Sequence, residues 1–473
     1  MFDMNDLESE TDPDEVLAGS ASRPTDVLIL QGPLSSFYAD IAKALREAGA
    51  KCAKIHICGN DRADWHGEPG LDYSGQLTDF ERFLDSAFPG RSFSHVLMHS
   101  DRRPYHRAAI SWARRNGVDP VVTELGYLRP DWMTLERGAV STGSHFPTDA
   151  TTIRDIARNA GPIDTRVLYP DRPMKRILQE LRYTAFNLLH WWRYPHYETH
   201  RPDGPLKVYP GFLKTQLTKS SARRRGARAL ELLKSKNAPY FVFALQLNGD
   251  FQLRDHSPFN SMAQAIDYVA KSFAANAPEE TVLVLKPHPL DFRQKMLRAA
   301  ISKAERDYGL AERILMVEDI PIKALCEQTS GFVTVNSSAG MEALSVGAPA
   351  MTIMPTIYDI EGLTFHGPLD SFWTTADKPD LSLFDALCCA MAVTIQVRGT
   401  IYNDEGRIVA AKAIADRLVR GEVNEPGGYV DRPPRLEKAA SMGVFYPELG
   451  SVGDQHFVGQ NDKYFKGDSR GGL

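Results

Sequence analysis

An α/β protein of two Rossmann-like units facing an inter-domain cleft is expected from three features of the chain. Apolar runs alternate with amphipathic helical stretches in both halves, the pattern of parallel strands joined by crossover helices. Polar and ionisable residues stand just past two such runs: Lys286-Pro287-His288 follows Thr281-Val-Leu-Val-Leu, and Asn336-Ser337-Ser338-Ala339-Gly340 follows GFVTV. Between the halves, an aromatic and basic stretch near 150–235 breaks the alternation. Two sheets joined by a hinge place their strand ends around a cleft, where α/β proteins bind ligands.

The elements follow in order. Residues 1–24 form an expected disordered leader, with seven acids and no base in the first 20 positions, unlike a secretory signal. The first unit, 25–205, opens with DVLILQGPL and a helix bearing Phe37, Ile41, Leu45 and Ala48 on one face. KCAKIHIC, FSHVLMHS and VVTELG continue it as strands. Residues 206–238 are expected as a linker with crossover helices, and 239–420 as the second unit, from YFVFALQL to PAMTIMP and beyond. The Pro- and Gly-rich remainder, 421–473, is expected as a poorly ordered tail.

Composition narrows the function. At 473 residues, 43% hydrophobic and 24% charged, the chain has the makeup of a soluble globular protein of more than one domain. It contains no apolar run of about 18 residues that could span a bilayer, so any membrane contact is peripheral. The net charge of -5 argues against general nucleic-acid binding. Five cysteines, Cys52, Cys58, Cys326, Cys388 and Cys389, lack metal-site spacing and fit reduced thiols in the cytoplasm. His190, His196 and His200 lie among aromatic residues and prolines, so no metal is expected there.

The candidate site residues cluster at strand ends. A turn opening a helix at 336–340 presents unpaired N–H groups suited to a phosphate, with Glu342 one turn on for a ribose hydroxyl. Lys286 and His288 add a cation and an imidazole. In the first unit Arg103 and His106 follow one strand, and Glu124 and Arg129 the next. A polar loop after YFVFALQL carries Gln246, Asp250, His256 and Ser257. Plainer roles are open to these groups: loop ion pairs for the arginines, an Asx turn for Asp250, a structural imidazole for His288 and a helix cap for Ser337 and Ser338. The basic run Lys219 to Arg228, with Arg223, Arg224 and Arg225 at its centre, is either a solvated helix face or a patch for anionic lipid.

At these residues the chain resembles the capsule polysaccharide biosynthesis family, the bacterial retaining β-Kdo transferases of KpsS and KpsC type. The matching text is QGPLSSFY at 31–38, DRRPYHRAA at 101–109, ELGYLRPDWMTLERG at 124–138, YPHYETHRP at 194–202, the QLNGD and HSPF loop, KPHP, and NSSAGMEALSVGAP with YDIEGLTFHGPLDSFW. The single-unit length is similar to the KpsS type. The resemblance implies a GT-B fold, CMP-Kdo as donor substrate with no cofactor, and retaining transfer of Kdo to a lysophosphatidylglycerol-type lipid anchor. It implies Asp250 as nucleophile and Glu124 as base, with Lys286, His288, Asn336, Ser337, Ser338, Ala339, Gly340 and Glu342 on the donor. Arg103, His106, Arg129, Gln246, His256 and Ser257 complete the substrate site. Partners expected are the anionic inner face of the inner membrane and other capsule assembly proteins. Two alternatives stay open: a GT-B enzyme using another CMP- or UDP-sugar, and a non-catalytic export adaptor.

Overall fold

The structure, a computed structural model, describes residues 24–446 other than 67, 68, 165, 201–204, 248–250, 290, 292 and 293, with the backbone alone of 205–216, 251, 252 and 294. Most of the acidic leader, the nucleophile candidate Asp250 and residues 447–473 of the tail lie outside the described residues.

Strands β1 (Asp26–Ile29), β2 (Lys51–His56), β3 (Leu71–Asp72), β4 (His95–His99), β5 (Asp119–Leu125) and β6 (Trp132–Arg137) belong to the first sheet. β7 (Tyr240–Ala244), β8 (Val282–Lys286), β9 (Ile314–Met316), β10 (Gly331–Thr334) and β11 (Ala350–Thr352) form the second. β12 (Gln396–Arg398) returns to the first sheet, whose order is β12-β6-β5-β4-β1-β2-β3, and the second runs β11-β10-β7-β8-β9. The second sheet is parallel throughout.

The apolar runs form strands because helices cover both faces. Val27, Leu28 and Ile29 are fully buried, and so are Leu283, Val284 and Leu285 in the other sheet. Helix 37–47 turns Phe37, Ile41 and Leu45 inward, as its spacing predicts, and helix 404–420 packs over it.

Three expectations are corrected. The stretch 396–420, read as part of the second unit, joins the first: β12 pairs antiparallel with β6, and Ala411, Ile414 and Leu418 enter the first unit's core. Glu124, expected just past a strand, lies within β5, which pairs antiparallel with β6 and sets Glu124 opposite Thr134. Residues 421–446 are packed, with Leu436, Ala439, Val444 and Tyr446 buried. Arg435 explains why this segment holds. Its guanidinium donates to the carbonyls of Phe146 at 2.7 Å and Thr356 at 2.7 Å, tying together two loops far apart in the chain.

Contacts between the units include helix 150–160 against helix 381–394 and loops past strand ends. The Thr142 hydroxyl reaches the Pro355 carbonyl, and Arg102 lies 4.8 Å over the ring of Tyr446. The strand ends therefore face each other across the cleft.

Candidate functional site

The first wall of the cleft is built on β1, β4 and β5. After β4 the chain turns at Ser100, whose left-handed φ of 66° sends it back towards helix 104–115. The Ser100 carbonyl, 2.7 Å from His106 Nδ1, can only accept, so Nδ1 carries the proton and Nε2 keeps a lone pair. That Nε2 is buried and has no partner. Burial, reinforced by the Arg103 charge, holds His106 well below its ordinary pKa, so the ring is neutral. With no exposed surface, His106 supports the wall and is not a surface that a ligand reaches.

Arg103 is likewise enclosed. It donates to Gln31 Oε1 at 3.0 Å and to the Gly32 carbonyl at 2.9 Å. Both acceptors are neutral, so the loop ion pair that sequence alone allows does not form here. Gln31 in turn donates to the Tyr197 hydroxyl at 3.1 Å, and the Tyr197 ring stacks on Tyr105. The aromatic middle is therefore packed against the first unit.

Glu124 is the accessible acid of this wall. Its Oε1 accepts from the Leu125 N–H at 3.0 Å, and its side chain remains 33% exposed. Burial raises its pKa and the nearby Asp101 adds to the rise, against the pull of Arg103 and Arg129. Arg129 is exposed, and its charge reaches both Glu124 and His288.

The opposite wall stands on β7, β8 and β10. Lys286 ends β8 nearly buried, donating to the Pro287 carbonyl at 3.0 Å. Burial lowers its pKa, while Asp319, Glu342 and Glu318 work to keep it charged. His288 is half-buried, and burial together with the charges of Lys286, Arg176 and Arg129 brings its pKa down to about 4. Arg176 and Arg129 belong to the first unit, so this imidazole sits where cations of both units converge. An anion would neutralise that convergence.

Gln246 and Asn336 brace each other at 2.9 Å, and Asn336 also donates to the His256 carbonyl. His256 is buried against the Tyr446 hydroxyl at 2.7 Å, and burial takes its pKa to about 3. The Ser257 hydroxyl is engaged inside its own loop, by the Leu253 carbonyl and the Phe259 N–H. Gln246, His256 and Ser257 therefore hold the loop in place and leave the ligand to others.

The turn 337–340 opens helix 339–344. Gly340 is required there: a Cβ would lie 2.2 Å from the Tyr358 hydroxyl, which bonds the Ser337 carbonyl. The N–H groups of Ser337, Ala339, Gly340 and Met341 have partners within the turn, so they are less open than the sequence suggests. Ser337, Ser338 and Ala339 are half-buried, and Glu342 is exposed within electrostatic reach of Lys286. Among the described residues no cluster of three His, Cys, Asp or Glu could hold a metal ion.

Sequence reasoning missed Gln31, His99, Glu136, Tyr358, Arg435 and Tyr446. Only Glu136 left a signal: an acid at an inward position of the strand text WMTLER.

Residues 94–402 match the family model described as capsule polysaccharide biosynthesis protein. The chain belongs to that family. This capsule polysaccharide biosynthesis protein is 32% identical over 379 residues to capsule polysaccharide export protein KpsS of Escherichia coli, covering 79% of this chain and 96% of KpsS. It is 27% identical over 390 residues to capsule polysaccharide modification protein LipB of Neisseria meningitidis serogroup A, covering 80% of this chain and 92% of LipB. Among solved structures, the β-Kdo 2,7 transferase KpsC of Thermosulfurimonas dismutans is similar over 84% of this chain and 99% of that one, at 13% identity and a TM-score of 0.38. That likeness is too weak to inform on substrate or mechanism. The two Rossmann-like units with facing strand ends are the GT-B arrangement the sequence leads one to expect.

Proposed function

We propose that this protein is a retaining glycosyltransferase of capsule biosynthesis that moves Kdo from CMP-Kdo onto a lysophosphatidylglycerol-type lipid anchor. The observation that carries the reading is His288, which the charges of Lys286, Arg176 and Arg129 all reach, with Arg129 also reaching the accessible carboxylate Glu124. A CMP-sugar of this kind brings two anions, a phosphate and a sugar carboxylate, to such a place.

In the first step a carboxylate, for which Asp250 in the polar loop after β7 is the candidate, attacks the anomeric carbon as the bond to the CMP phosphate breaks. The departing phosphate needs charge stabilisation, and Lys286 and the surrounding cations supply it. In the second step the acceptor hydroxyl attacks the same carbon, Glu124 takes its proton, and the Asp250 carboxylate is released. Two inversions give net retention. The step needs no cofactor.

Calorimetry with CMP tests the donor site. Lys286→Ala should weaken CMP binding by about 1–3 kcal/mol, the range for a lost hydrogen bond to a charged group. Unchanged affinity would place the nucleotide elsewhere.

A further inference from the structure

We propose that helix 173–189 and the Trp191–Trp192 pair beyond it form a docking surface for an anionic phospholipid layer, set beside the cleft mouth. This inference rests on the reading of the acceptor as a lipid.

Met174, Leu178, Leu181, Leu188 and Leu189 lie along one face of the helix, each exposed by between 47% and 71%. Soluble proteins scatter exposed apolar residues singly; here they form a continuous row, about 25 Å long at 1.5 Å per residue. Nothing local can turn the row inward, because the opposite face is fixed. Gly59 meets the helix backbone so closely that a Cβ would lie 2.2 Å from the Phe186 carbonyl. Asn187 accepts from the Asn60 N–H at 2.9 Å, and Arg182 pairs with Asp64 at 3.1 Å.

The chemistry of the surroundings selects the occupant. Trp191 and Trp192, 66% and 63% exposed, continue the row with rings that favour the boundary between lipid and water. Arg172 and Arg176 are exposed at the other end, and Glu180 is the one acid in 173–192. A cationic border around an apolar row complements phosphate headgroups over acyl chains. The row adjoins the cleft: Arg176 stacks on Tyr402 at 5.5 Å and its charge is felt at His288.

Of the basic run Lys219 to Arg228 expected for this task, Lys219 and Arg228 are exposed. Arg225 is held by Glu318 at 2.6 Å, leaving Arg223 and Arg224 exposed.

The test is co-sedimentation of the full chain with vesicles of phosphatidylglycerol and phosphatidylethanolamine, beside neutral phosphatidylcholine vesicles. Wild type should bind the anionic vesicles, and Leu178→Glu with Leu188→Glu should bind at least tenfold more weakly. Transfer to a soluble, deacylated acceptor should be unchanged in that variant. If it does not melt cooperatively, Trp191→Ser with Trp192→Ser decides by the same readout. Equal vesicle binding by wild type and variants overturns the proposal. So does a wild-type dimer that the variants dissociate without any vesicle binding, an outcome that assigns the row to a second copy. Vesicle binding lost in the variants, with no transfer by wild type to any acceptor, would sink the transferase reading and leave the docking surface standing.

Discussion

His99 Nε2 lies 3.8 Å from Glu124 Oε1, yet the two do not form an ion pair. Burial, aided by the Arg103 charge, holds His99 well below its ordinary pKa, and its Nδ1 is 2.9 Å from the Thr123 hydroxyl. A neutral imidazole leaves the Glu124 carboxylate free to take a proton.

The pH profile of transfer should show this. The folded-state pKa of Glu124 is raised, so the base is protonated at low pH and becomes competent as pH rises through a value above the ordinary 4.5. Glu124→Gln should remove that acid limb and lower kcat by about 10²–10⁴-fold, the usual weight of general-base catalysis. CMP affinity should stay as in wild type. An acid limb that persists in the variant would assign the base to another group.

Glu136 gives a separate test on stability. It is fully buried, Ser144 donates to one of its oxygens, and the other has no partner; burial pushes its pKa up to about 8. A raised carboxyl contributes stability that is fully present below the unfolded value near 4.5 and is lost as pH rises through about 8. Wild type should therefore lose more melting temperature between pH 5 and pH 9 than Glu136→Gln does. Parallel losses in the two proteins would contradict a protonated Glu136.

Legibility in the sequence followed the range of the physics. The strands DVLI and VLVLK were plain because a buried parallel strand is a continuous apolar run, and Lys286 and His288 stood out as polar groups at the end of one. β12 was not plain. Three residues, Gln396 to Arg398, carry no pattern, and their place is set by pairing with Thr134, Met133 and Trp132 far back in the chain. The segment to 446 misled for a related reason, since its Pro and Gly content reads as a tail while Arg435 buries its charge against carbonyls from two distant loops. Within the site, residue types marked the strand-end neighbourhood correctly. They could not separate Arg129, which faces the cleft, from His106 and His256, which are sealed beneath it.

Arg435→Leu should loosen the segment 421–446 from the loops it joins. The side chain satisfies carbonyls of Phe146, Thr356 and Ile357, and each buried carbonyl left without a donor costs about 1–3 kcal/mol. A loss on the order of 3–9 kcal/mol in urea denaturation is expected on that basis, with faster proteolysis in the segment 421–446. A variant as stable as wild type would show that the segment 421–446 is held by its apolar contacts alone.

The most direct test of the central claim is to incubate the purified protein with CMP-Kdo and a lysophosphatidylglycerol-type acceptor, then determine product mass and anomeric configuration. The account predicts an acceptor heavier by one or more Kdo units in β linkage, release of CMP, and product formed about 10²–10⁴-fold more slowly by Glu124→Gln. An unmodified acceptor, or equal product from wild type and that variant, would contradict it.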